Sequence, residues 1–416
     1  MPRLLLLLPT STYRAERFLA AARKAGAEVV VGTDQPHVSE GMASGTTIAV
    51  DCSDPQLAAD QIVRLDSTLS LDAVVAVDEQ GVQAAAVASS RLGLPASSPE
   101  AVARTRDKAL MREALAQGEV DQPAFAVVAR GEPPGAAVSR VGLPCVVKPR
   151  SMSASRGVIR ADTHAEAEEA VRRTRSIVAS AGGSPDASVL VESYVPGVEV
   201  AVEGMLQDGV LDVLALFDKP DPLTGPYFEE TIYVTPSRLS QADQDTVSAV
   251  TERACAAIGL TEGPVHAELR GDVGEDPARF RCIEVAARSI GGRCSSVLSF
   301  GTGATLEDLI VRQALHMPTA RPGPGSPAAG VMMIPIPAAG HLRAVDGRDA
   351  ALDVAGVVGI EVTAPVGTWI EPVPEGDRYL GFIFAKGDRP ADVEAALRAA
   401  HSRLRIRIGP RGRPLA

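Results

Sequence analysis

Aromatic residues are scarce in this chain, only 3% of 416 residues with a single tryptophan, Trp369. That leaves little material for stacking platforms that read bases or sugars. The five cysteines (Cys52, Cys145, Cys255, Cys282 and Cys294) form no CxxC pair and are odd in number, which argues against a disulfide framework and a zinc cluster. The six histidines include no HxxxH pair. Basic charge is also in deficit: 41 Lys and Arg against 52 Asp and Glu leave −11, so a general affinity for nucleic acid or anionic membrane is not expected. The apolar run Leu4–Leu8 is too short for a secretory signal or a membrane span and reads as a buried strand, so the expected location is the cytoplasm. No GxGxxG follows it, and the dinucleotide fingerprint is therefore missing.

What remains is a globular composition, 45% hydrophobic and 22% charged, in a chain long enough for two or three domains. Short apolar runs (Leu4–Leu8, Glu28–Val31, Ala73–Val77) alternate with helical stretches (Tyr13–Ala25, Gln80–Leu92) up to Gly93-Leu94-Pro95. That repetition predicts an N-terminal parallel α/β domain over 1–98. From Pro99 the pattern changes to one helix over Pro99–Gln117, strands at Ala124–Val128, Cys145–Lys148, Val189–Val195 and Val198–Met205, and a hairpin turn at Asp208-Gly209. Two further strands, Val265–Arg270 and Arg279–Val285, close a region taken to end at 315. A Pro/Gly-rich stretch, His316–Ala329, then leads into a C-terminal α+β domain over 316–416, rich in strands and ending in a helix over Asp392–Ile406.

Four groups of residues could carry chemistry. Lys148 projects from a strand end halted by Pro149, and the small-residue stretch Ser151–Gly157 follows it. Such a pairing suits phosphate oxygens, although a plain strand exit with a solvated loop has the same pattern. Glu192 and Glu199 flank a Pro-Gly corner, where a carboxylate meets amino or hydroxyl donors of a nucleotide or simply faces solvent. Strand alternation places Glu268 with His266 on one face, and Glu284 with Cys282 and Phe280 on one face of the next strand. If the two strands pair antiparallel, both carboxylates face one space and a divalent cation removes their repulsion; out of register, each is solvated. Arg288, beside Gly291-Gly292, suits a phosphate or a developing oxyanion, or is a surface arginine in a loop.

Taken in order, five stretches resemble the ATP-grasp superfamily: Arg106-Asp107-Lys108, Pro144–Pro149, Val191–Glu199, His266-Ala267-Glu268 and Ile283–Arg288. Within it, Pro226–Tyr233 and Gly356–Lys386 resemble the L-amino-acid ligases, which form dipeptides. The resemblance implies a pre-ATP-grasp N-terminal domain, a central ATP-grasp fold over 99–315 with a lid subdomain at about 120–195, and a β-rich C-terminal domain. It also implies an ADP-forming ligase using ATP and Mg²⁺ through an acyl phosphate, acting on a small carboxylic acid and an amine. Lys108 and Lys148, with Ser153, Ser155 and Gly157, are then expected at the phosphates, and Lys219 as a further phosphate contact. Glu192, Tyr194 and Val195 are expected at adenine, Glu199 at ribose, Glu268 and Glu284 on Mg²⁺, and Arg288 at the reacting carboxyl group. Glu230, Tyr233, Gly291 and Gly292 are expected at the substrates, in a possible homodimer. Three departures stand out: the loop is Ser-rich rather than Gly-rich, Ala286 replaces a common asparagine, and Tyr233 replaces a usual histidine. A bicarbonate-activating carboxylase and a nucleotide-binding module without catalysis are the rival readings.

Overall fold

The computed structural model describes residues 1–9, 12, 14–34, 46–273, 278–291, 293–300, 303–319 and 327–410. Its first region is a four-stranded parallel sheet in the order Thr47–Ala49, Glu28–Thr33, Arg3–Leu7, Ala73–Ala76. Leu4 and Leu6 pack with Phe18 and Leu19 of the Ala15–Lys24 helix, and Leu5 and Leu7 with Ala58 and Ile62 of the Pro55–Leu69 helix. Both faces are thus covered, which is why the strand is a continuous apolar run rather than an alternating one. Each leucine so buried contributes roughly 1.5–3 kcal/mol. Asp78 and Glu79 follow the Ala73–Ala76 strand, at the edge where open α/β sheets hold ligands.

The expected single helix over Pro99–Gln117 is corrected to two, Pro99–Arg106 and Lys108–Gln117, meeting at the extended Asp107 (φ −117°, ψ 105°). The Asp107 carboxylate accepts from the N–H groups of Ala109 and Leu110 and pairs with Arg150 at 2.5 Å. Satisfying two orphan donors of a new helix outweighs extending the old one. Lys108 therefore opens a helix instead of sitting inside one.

An eight-stranded sheet forms the body, every neighbouring pair antiparallel. Its order is Arg279–Ala286, Gly263–Asp272, Val198–Gln207, Val210–Lys219, Ile232–Thr235, Ala328–Ile334, Gly381–Gly387, Val357–Val362. The Gln241–Ile258 helix lays Val247, Val250, Ala254 and Ile258 against Val200, Val202, Val265 and Ala267 of the sheet. Because Ile232–Thr235 pairs with Ala328–Ile334, the sheet runs unbroken past residue 316. A separate four-stranded sheet, Phe125–Val128, Val189–Ser193, Cys145–Pro149 and Ile159–Ala161, carries the Gly135–Val141 and His164–Ser180 helices in the region expected as a lid, and its residues line one cavity with those of the large sheet.

The last helix is also corrected: it covers Pro390–Arg403, and Arg405–Gly409 is a strand paired with Gly340–Asp346. Arg-Ile-Arg-Ile alternates with period two, which fits a pleated ribbon and not a helix face. Among the described residues, no helix is long and apolar enough to cross a membrane. Asp107→Ala is expected to lower stability by about 1–2 kcal/mol through the lost cap. Urea unfolding followed by circular dichroism measures it, and an unchanged midpoint would show the cap to be dispensable.

Candidate active site

Lys219 ends the Val210–Lys219 strand directly across from Glu199, which begins the Val198–Gln207 strand. Its Nζ donates to Glu199 Oε1, to Glu230 Oε1 at 3.0 Å and to Glu268 Oε1 at 3.1 Å, with the lysine side chain only 3% exposed. Oxygens of the three carboxylates lie within 4.8 Å of one another, a spacing that repels strongly unless a cation sits among them. Here the ammonium is that cation.

Glu268 stands directly opposite Glu284 in the antiparallel pair, with a bulge immediately after Glu268. Both line one cavity of about 920 Å³, at the upper end of the range for small-molecule sites. Glu284 Oε1 lies 3.2 Å from Lys108 Nζ, which also donates to the Met152 carbonyl at 2.7 Å. Two hard carboxylate donors facing across neighbouring strands fit an oxygen-loving divalent cation such as Mg²⁺.

At one end of the cavity, the lid strand Cys145–Pro149 carries Lys148, whose Nζ lies 2.6 Å from Glu192 Oε2. The other oxygen of Glu192 accepts from Arg112 Nε at 2.6 Å. Arg112 is fully buried and donates further to the carbonyls of Cys282 (2.9 Å) and Ile283 (2.6 Å), tying the helix to the strand that carries Glu284. Burial alone would raise the Glu192 pKa, but Arg112 and Lys148 outweigh it and hold it at about 2. Val146, Leu223 and Phe228, with Val158 and Tyr194 against them, make an apolar slot beside these charges. Val195 lines the same end. Gly197 turns the corner at φ +95°, where a Cβ would lie 2.0 Å from the Gly271 carbonyl, so no side chain fits. Ser153 and Ser155 line the cavity, whereas the Gly157 N–H is spent on the Pro374 carbonyl at 2.8 Å. Neither Gly157 nor Lys219 lines the cavity.

At the other end, Arg288 Nε pairs with Glu79 Oε2 at 2.7 Å, so the N-terminal region supplies part of the wall. Arg14 is buried, donating to the Val77 carbonyl at 2.9 Å and to Ser289 Oγ at 2.6 Å. Glu230 accepts from the Tyr379 hydroxyl at 3.2 Å. The Tyr233 hydroxyl lies 3.5 Å from Glu268 Oε1, its ring 5.0 Å from the Lys219 ammonium. Gly291 lines this end, and Gly292 lies outside the described residues.

Burial drives the Glu230 carboxyl up, while Lys219 and His266 hold Glu268 well below the usual range against the same burial. Two neighbouring carboxyls of one cluster are thus pushed in opposite directions. His266 lies between Glu203 Oε2 (3.5 Å) and Glu268 Oε1 (3.6 Å). Burial opposes its charge, but the two carboxylates raise its pKa to about 9.

Sequence reasoning did not find Arg14, Glu79, Arg112, Arg270 or Tyr379. Arg112 lies one turn after Lys108, Glu79 at a parallel strand's carboxyl end, and Arg270 on the Glu268 face of its strand; those positions were signals. Arg270 donates to the Leu223 carbonyl at 2.7 Å and lies 3.4 Å from Glu199 Oε2. For Tyr379 no local pattern pointed to the cavity.

An open parallel α/β domain, a small antiparallel sheet and a large antiparallel sheet whose adjoining strands carry Glu268 and Glu284 side by side together define an ATP-grasp protein. Family models agree along the chain: an ATP-grasp N-terminal domain over 19–96, an ATP-grasp domain over 141–297, and L-amino acid ligase C-terminal domain 2 over 332–409. The chain is a member of the ATP-grasp superfamily, with the domain set of its amino-acid ligases. It is 27% identical over 248 residues to the alanine–anticapsin ligase of Bacillus subtilis (strain 168), a match covering 56% of this chain and 51% of that protein. The match thus spans about half the length of that relative. The fold is shared with the L-amino acid ligase of Bacillus licheniformis (TM-score 0.80, 24% identity, 98% of this chain and 99% of that one). It is also shared with a biotin carboxylase–beta-gamma-ATP complex from Campylobacter jejuni (TM-score 0.66, 15% identity, 98% and 92%).

These charges set the pH dependence of stability. His266 is raised from the usual 6.5 to about 9, so its contribution is full below about 6.5 and lost as pH rises through 9. Glu192 is depressed from 4.5 to about 2, so its contribution is full above 4.5 and lost as pH falls toward 2. Urea midpoints measured in metal-free buffer should therefore decline on both sides of that interval, and His266→Gln should flatten the alkaline limb. An alkaline limb unchanged in the variant would remove His266 from the account.

Proposed function

We propose that this chain is an ATP-dependent carboxylate–amine ligase that forms an amide between two amino acids, or an amino acid and another small amine, releasing ADP and phosphate. The carrying observation is Glu268 paired directly opposite Glu284 on adjoining strands, both lining the cavity that Arg288 also lines. The amino-acid ligase C-terminal domain and the likeness to alanine–anticapsin ligase support the choice of substrates.

In this reading, the apolar slot around Val146, Leu223 and Phe228 takes adenine, with Tyr194 and Val195 at its edge. Glu199 takes the ribose hydroxyls, and Lys108, Lys148, Ser153 and Ser155 face the phosphates. Glu192 acts by holding Lys148 in place. A Mg²⁺ ion held by Glu268 and Glu284 would supply charge for the transferring phosphoryl group. A substrate carboxylate oxygen attacks the γ-phosphorus, the bond to the β-phosphate oxygen breaks, and ADP leaves an acyl phosphate. The amine nitrogen then attacks the acyl carbon, phosphate departs with the bonding pair, and the nitrogen loses a proton. Arg288, fixed by Glu79, stabilises the tetrahedral oxyanion. Glu230, with Tyr233 and Tyr379 beside it, orients a substrate amine. No protein nucleophile is needed; alignment and exclusion of water are the chain's contributions. The likeness to biotin carboxylase is one of fold alone and supplies no separate support for bicarbonate activation.

ADP release should require both an acid and an amine, which a pairwise amino-acid screen with a coupled ADP assay measures. Flat rates for all pairs would remove the dipeptide assignment. Glu284→Gln should cut turnover by roughly 10²–10³-fold, since metal charge stabilisation contributes several kcal/mol at tenfold per 1.36 kcal/mol. Near-normal turnover in that variant would remove the metal assignment.

A further inference from the structure

We propose that Arg14 binds the free carboxylate of the amine-donating substrate, a subsite that rests on the ligase reading above. Arg14 stands immediately before the Ala15–Lys24 helix, is 3% exposed and lines the cavity beside Arg288 through its bond to Ser289. Its two hydrogen-bond partners, the Val77 carbonyl and the Ser289 hydroxyl, are both neutral. Its nearest carboxylate, Glu307, is 3.9 Å away. The Nε atom is buried and has no hydrogen-bond partner.

The other buried cations of this cluster are matched more closely. Lys108 has a carboxylate oxygen at 3.2 Å, Lys148 at 2.6 Å, Lys219 at 3.0 Å and Arg270 at 3.4 Å. A guanidinium out of water without a hydrogen-bonded anion is costly, and a ligand that supplies one recovers that cost.

The anion is a carboxylate by the logic of the reaction. The reacting carboxylate must lie at the γ-phosphate, near Glu268 and Glu284. An amino acid that attacks through its amine still carries a carboxylate, which has to be neutralised in a wall that also holds Asp78, Glu79 and Glu230. Arginine matches that planar group with two parallel N–H donors. The two sources of the carboxylate, amine donor and acid donor, are separable by kinetics.

The test compares the best amine substrate from the amino-acid screen with its carboxamide, for example alanine and alaninamide. The wild-type protein should favour the free acid at least tenfold in kcat/KM. Arg14→Met should raise KM for that amino acid at least tenfold, leave KM for the carboxamide, ATP and the acid substrate within twofold, and so abolish the preference. Arg14→Lys should restore part of it. Should Arg14→Met fail to fold by circular dichroism, Ser289→Ala, which frees one guanidinium nitrogen, should lower the preference two- to fivefold. A rise in KM for the acid substrate instead would assign the subsite to the other carboxylate and overturn the proposal. An unchanged preference in both Arg14→Met and Ser289→Ala would overturn it as well. Flat ADP release with every pair in the wild type overturns the ligase reading and this proposal with it, whereas normal release with unchanged preference overturns this one alone.

Discussion

One ammonium group holds the site together. Lys219 binds carboxylates that arrive from the start of one strand (Glu199), the middle of another (Glu268) and the loop before a third (Glu230). Removing a charge from water costs several kcal/mol per ion, and stripping one partner from a buried set costs about 3–5 kcal/mol. Each carboxylate also reaches outward. Glu199 meets Arg270, Glu230 meets Tyr379, and Glu268 meets His266, behind which Glu203 accepts from the Ile290 N–H at 3.1 and 3.0 Å. Residues proposed for the nucleotide and residues proposed for the substrate are therefore connected through a single buried cation.

That connection explains why the regions cannot be treated as independent beads. The large sheet passes from Ile232–Thr235 into Ala328–Ile334 without a break, so the C-terminal strands extend the surface that carries the acidic cluster. The N-terminal region is fastened by charge: Arg288 to Glu79, Lys24 to Asp308 at 2.8 Å, and Arg14 to Ser289. Apolar packing joins them as well, since Phe18 and Leu19 share a cluster with Leu309 and Ile310 of the Leu306–Ala314 helix.

The cavity end proposed for the nucleotide was legible as a set of candidates in the sequence because its residues sit in short local patterns. Lys148 before a proline, Glu199 after a Pro-Gly corner, and Glu268 and Glu284 on adjoining strands each follow from spacing within about twenty residues. The meeting of Glu268 with Glu284 needed only strand alternation and an antiparallel turn. The rest of the cavity was mostly hidden because it is assembled from distant parts of the chain: Arg14, Glu79, Tyr379 and Phe382 line it with no shared periodicity. Local errors had local causes too. Asp107 is compatible with a helix by composition, and only its two accepted N–H bonds and its pairing with Arg150 reveal a break there. The final Arg-Ile-Arg-Ile run carried the strand signal that the preceding Ala-rich helix masked.

The Ser-rich loop gives the departure from the Gly-rich pattern a physical meaning. Ala154 and Ser155 hold φ values of 56° and 53°, a region that costs residues with a Cβ about 1 kcal/mol or more each. Glycine would adopt it freely and leave it as freely. In this chain the conformation is held from outside: Gly157 N–H donates to Pro374, and Arg156 Nε donates to the Glu375 carbonyl at 3.0 Å. The lid helix reinforces the contact through Arg173, paired with the Glu375 carboxylate at 2.6 and 2.9 Å. The strain is thus offset by charge-assisted contacts to a C-terminal segment whose near neighbours, Arg378 and Tyr379, line the cavity. A loop held in this way is fixed along the cavity by contact rather than by sequence flexibility, and in the proposed function it ties water exclusion at the phosphates to the placement of Tyr379 against Glu230.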